Sequence, residues 1–101
     1  MSADAGTQLE RALVRSAADA GIALAMVAAT ATPWASVTFT GARHRFTLAA
    51  ARSTSLDAWL AGLAEAEFRL RGHLVADLVV AGTHTGEPAE ITLEALTVED
   101  C

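Results

Sequence analysis

The 101 residues suit one domain, 1–101, with residues 1–6 and 99–101 expected to fray. A chain of this length buries about 65% of the surface it exposes when unfolded, so one apolar core suffices without staples. The lone Cys101 excludes an internal disulfide and fits a reducing compartment, and the net charge of −5 opposes nonspecific binding to nucleic acid or a membrane surface.

No apolar run approaches the roughly 18 residues of a membrane span; the longest, residues 21–31, falls well short. Asp4 and Glu10 stand where a signal peptide would carry basic residues, which points to a cytoplasmic protein. The chain has no Lys, Asn or Tyr, and all seven of its cations are Arg. That usage fits a GC-rich bacterial genome, so Arg here does not by itself imply phosphate recognition, nor Ala a helix.

In chain order, Leu9, Leu13, Ala17 and Ala20 form one stripe of a first helix, with Thr7 and Glu10 as a capping box and Gly21 as its C-terminal stop. Residues 22–32 alternate Ile22, Leu24 and Met26 with alanines between Gly21 and Pro33, which predicts a strand; the alternative is one helix running from Thr7 to Thr30. Pro33 to Leu48 predicts a β-hairpin turning at Gly41-Ala42 in a type II′ turn, with Phe39 opposite His44 and Val37 opposite Phe46. Its apolar face would hold Val37, Phe39, Phe46 and Leu48.

Ser53 or Ser55 caps a second helix, whose Leu56, Trp59, Leu60 and Leu63 repeat at the spacing of a core-facing stripe and which ends near Glu67. Gly72 marks a turn. Strands follow over His73–Ala81 and Ala89–Glu99. The second changes parity from Ile91 and Leu93 to Leu96 and Val98, as a bulge near Ala95 would explain. The expected order is α-β-β-β-α-β-β: a two-layer α+β domain, its largely antiparallel sheet of about five strands carrying two helices on one face. A weak α-then-β recurrence links the two halves.

The other sheet face is then open. By parity it would hold Trp34, Thr38, Arg43, Arg45 and Thr47 from the hairpin and His73, Val75, Asp77 and Val79 from the fourth strand, with Glu94 from the fifth. An aromatic and two valines inside a polar border is the composition of an interface. Charge adds to this. Residues 1–52 hold three acids against five Arg (+2), and residues 53–101 hold nine acids against two Arg (−7). Either neighbouring elements neutralise one another within the fold, or the basic hairpin meets the acidic second half of another copy.

Other chemistries have less to stand on. One aromatic, two Arg and a nearby Asp77 make a poor single-strand nucleic-acid platform. His44, His73, His84 and Cys101 match no metal-ligand spacing. Gly82-Thr83-His84-Thr85-Gly86 lacks the spacing and Lys of a phosphate loop, and Asp77 beside Arg45 has the makings of an ion pair rather than an acid–base catalyst. No catalytic residue, metal or cofactor is assigned, and an enzyme is the lesser expectation.

The segments PWASVTFTGARH, GHLVADLVV and LEALTVED resemble stretches in short uncharacterised proteins of GC-rich bacteria, over roughly residues 33–98. The resemblance implies no activity, cofactor or partner, so no functional residue carries over. The expected function is association through the open face, as a homodimer or with a protein partner. The alternative is a small-molecule-binding domain or minor enzyme using the same face.

Overall fold

The computed structural model describes residues 4–100. Two αββ units follow one another. The first is α1 (Ala5–Asp19), β1 (Ala25–Ala35) and β2 (Thr40–Ala50). The second is α2 (Thr54–Gly62), prolonged by a 3-10 turn over Leu63–Glu65, then β3 (His73–His84) and β4 (Ala89–Glu99). All four strands form one antiparallel sheet in the order β1-β2-β4-β3. The recurrence in the sequence is therefore architectural: each unit contributes one central and one edge strand. No described helix is long and apolar enough to cross a membrane.

Helix α1 begins earlier than its sequence predicts. Asp4, not Thr7, is the N-cap: its carboxylate accepts the Thr7 N–H at 2.7 Å, so Ala5 and Gly6 are helical rather than frayed. The other end follows expectation. Gly21 takes φ 81°, and its N–H and that of Ile22 reach back to the carbonyls of Ala18 and Ala17 at 2.9 and 2.8 Å. This is the Schellman arrangement, and it turns Ile22 into the core beside Ala17. Helix α2 starts at Ser53, whose hydroxyl accepts the Leu56 N–H at 3.0 Å.

The sheet has four strands, not five, and the order is α-β-β-α-β-β. Neither the strand 22–32 nor the arm after Pro33 exists separately; they are one strand, β1. Pro33 interrupts nothing because β1 lies at the sheet edge, where a residue without an N–H costs no ladder bond on its outer side. The turn is not at Gly41-Ala42 either. It spans Ser36 to Phe39, where the Ser36 N–H donates to the Phe39 carbonyl at 2.7 Å and its hydroxyl accepts the Phe39 N–H at 3.0 Å. Gly41 lies inside β2 opposite Trp34, and His44 faces Ala31 and Ala95 instead of Phe39.

Nor does β4 change parity. Ala89, Ile91, Leu93, Ala95 and Thr97 are all buried, with no bulge in β4. The register shifts fall on its neighbour β3, at Ala76 and Ala81, and on β1 at Val27.

The core lies between the helices and one sheet face. Leu9, Leu13 and Ala17 of α1 and Leu56 and Leu63 of the second helical segment meet Phe46, Leu48, Ile91 and Leu93. Each buried Leu, Ile or Phe among them stabilises the fold by about 1.5–3 kcal/mol relative to exposure. Polar contacts tie the helical layer together. The Trp59 indole N–H donates to the Ser16 hydroxyl at 3.0 Å, and the Gln8 amide clasps the Arg71 backbone with bonds of 3.0 and 2.6 Å. Both helices therefore sit on one face, and the opposite face carries no layer.

Candidate association surface

Strand register fixes which side chains share the uncovered face. It reads as transverse rows, each crossing β1, β2, β4 and β3. The row nearest the β1–β2 turn is Trp34, Gly41, Val98, Leu74. Next come Thr32, Arg43, Leu96, Asp77, and then Thr30, Arg45, Glu94, Val79. Beyond these, Ala28, Thr47, Thr92 and Gly82 make a row of small residues. The face thus has an apolar end, a charged middle and a flat far end.

Gly41 shapes the apolar end. A Cβ on it would collide with the Thr97 carbonyl oxygen and lie 2.9 Å from Cζ2 of Trp34. Without one, β2 and β4 approach closely and the indole lies over the glycine, half-buried. Leu74, at the far edge of the same row, is 56% exposed. In the middle, the Arg45 guanidinium lies 3.4 Å from the Glu94 carboxylate, the sole ion pair among the described residues, with both side chains half or more exposed. The second and third rows together floor a shallow concavity of about 390 Å³.

Of the residues expected here, Trp34, Arg43, Arg45, Asp77 and Val79 share the open face, joined by Thr47 and Glu94. Three do not. Thr38 is in the β1–β2 turn, beside exposed Val37 and Phe39, which were expected to pack against the core. His73 and Val75 are on the helix side, paired with Glu99 and Thr97. The bulge at Ala76 reverses the parity of β3, so only the residues from Asp77 onward keep the expected face. Sequence reasoning missed Leu74, Leu96 and Val98. Uninterrupted alternation of Ile91, Leu93, Ala95 and Thr97 inward would have found the last two.

The helix side holds a second polar feature. His44 is buried, 4% exposed, and stacks on Phe46 with ring centroids 5.9 Å apart. Its Nε2 is 2.8 Å from the Thr97 hydroxyl, which donates its own proton to the Ala42 carbonyl at 3.4 Å. The buried Nδ1 has no partner among the described residues and faces Gly6 in the first turn of α1. Burial lowers the His44 pKa; the Asp4 carboxylate opposes the shift and His73 adds to it. A hollow of about 280 Å³ opens here between Asp4, Ala31, His44 and His73. His84 is at the other end of β3, opposite Glu90, and Cys101 lies outside the described residues. Among the described residues no three His, Cys, Asp or Glu are gathered as a metal site would need.

No protein-family model matches the sequence, and no curated protein matches it. Among solved structures, the chain is similar to the crystal structure of the type 4 fimbrial biogenesis protein PilO from Pseudomonas aeruginosa, at 14% identity and a TM-score of 0.48. The match covers 93% of this chain, which spans 65% of the length of that one.

Proposed function

We propose that this domain works by association, with its open sheet face covered by a protein surface. The observation that carries the reading is the apolar row Trp34, Val98, Leu74, which crosses the whole sheet with Leu96 and Val79 behind it and no helix above. An antiparallel sheet with a solvated face ordinarily alternates apolar inward and polar outward. Here β4 breaks that rule at Leu96 and Val98. Burying both together with Trp34 and Leu74 removes apolar surface that the monomer leaves wet.

The test is native mass spectrometry of the purified full chain beside a Leu96→Arg variant. Leu96 points away from the core, so the variant keeps the fold, verified by circular dichroism. The unmodified chain is expected in a protein complex that the variant loses. A monomer at every concentration, or a retained small molecule displaced by Leu96→Arg, would overturn the reading.

A further inference from the structure

Resting on that reading, we infer that the partner is a second copy of this chain, packed face to face about a two-fold axis that runs parallel to the sheet, midway between the two open faces, over the seam of β2 and β4 and along the strands. The rows select this axis. It keeps each row over itself and reverses its order, so β2 lies on β4 of the second copy and β1 on its β3.

Each row then meets a complement. Arg45 sits over the second copy's Glu94, and Glu94 over its Arg45. With the pair already formed within each chain at 3.4 Å, the four charges alternate in sign around the axis. At the apolar end the Trp34 indole, lying over Gly41, meets Val98 and Leu74 of the other copy. In the middle row the stem of Arg43 lies along Leu96, and the Thr32 hydroxyl meets Asp77. The other in-plane axis, at right angles to the strands, would set β2 on β2 and oppose arginine to arginine, which charge forbids. Aligned sheets cross at about 30°, so the axis tilts about 15° from the strands.

The area suffices. Strands of 11 or 12 residues span about 36 Å, and four of them at about 4.8 Å are about 19 Å wide. That is a footprint of about 700 Å² per copy, close to the roughly 800 Å² per partner of a standard interface.

The deciding experiment mixes two charge variants of the full chain, Arg45→Glu and Glu94→Arg. Alone, each would form a homodimer with like charges on both sides of the axis, and its dimer Kd is expected to rise at least tenfold in sedimentation velocity. Mixed one to one, position 45 of either chain faces an opposite charge at position 94 of the other, and the heterodimer is expected to regain the unmodified affinity. A mixture that associates no better than its components overturns the arrangement while leaving Leu96-sensitive association, and so the broader reading, intact. An unmodified chain that stays monomeric overturns both.

Discussion

Gly41 offers the sharpest check on the fold, because the sequence and the structure assign it different roles. As the first residue of a type II′ turn it would need positive φ. In β2 it needs no special φ; its hydrogen makes room for the Thr97 carbonyl and the Trp34 ring. Gly41→Ala forces a methyl into that space. Overpacking costs about 1–3 kcal/mol, and easing β4 away loses one ladder hydrogen bond worth about 1 kcal/mol. The lower backbone freedom of Ala in the unfolded chain returns about 0.5–1 kcal/mol. The expected net loss is about 2 kcal/mol, or a fall in Tm on the order of 10 °C for a domain of this size. Two other glycines calibrate the result. Gly82 has nothing within 4 Å of its added Cβ and no positive φ, so Gly82→Ala should be nearly neutral. Gly21 has equally open surroundings but φ 81°, so Gly21→Ala should cost about 1 kcal/mol from backbone strain alone. Thermal melts followed by circular dichroism rank the three. If Gly41→Ala melts with Gly82→Ala, the close approach of β2 and β4 is wrong; if it merely equals Gly21→Ala, a backbone cause is the better account.

His44 gives the fold a pH dependence: with its pKa lowered by burial, the unfolded chain binds the proton more readily, so stability is full above the ordinary histidine value of 6.5 and declines as pH falls below it. Melts between pH 7.5 and 5.5 should show that decline and His44→Gln should flatten it; an unchanged slope would refute the assignment to His44. Ser53→Ala removes the α2 cap and should cost about 1 kcal/mol in a denaturant titration, whereas Ser55→Ala, two residues further in and not the cap, should cost less. Phe46→Ala empties the centre of the core and removes the ring under His44, with an expected loss of about 3–5 kcal/mol by the same titration.

The helices were legible because they rest on local rules. The stripe Leu9, Leu13, Ala17, the Gly21 stop and the Ser53 cap all follow from spacing and backbone chemistry within one helix. The strand count failed on punctuation. Pro33 and Gly41 look like boundaries, yet one is tolerated by its place at a sheet edge and the other serves a cross-strand approach. Neither fact exists until β1 and β4 are placed beside β2. The true turn depends on the Ser36 hydroxyl, a weaker signal than either. For the site, five of eight expected residues share the open face because the alternation is regular along β1 from Ala28, along β2, and along β3 from Asp77 to Val80. His73 and Val75 were lost to a bulge at Ala76, an alanine between Val75 and Asp77 that marks no interruption in the sequence.

The two ways of resolving the uneven charge, within one chain or between two, turn out not to compete. Strand order places the basic β2 directly against the acidic β4, so Arg45 meets Glu94 at home. That pair is exposed on both sides, and such pairs stabilise a monomer by about 1 kcal/mol or less. Neutralisation within the chain therefore leaves the charges still facing solvent, with their signs alternating along one row. Alternation about the sheet's midline is what an isologous partner can match, since a two-fold axis there exchanges β2 with β4. A heterologous protein would have to supply the same pattern independently, together with an apolar row at the correct end. The second copy already carries both.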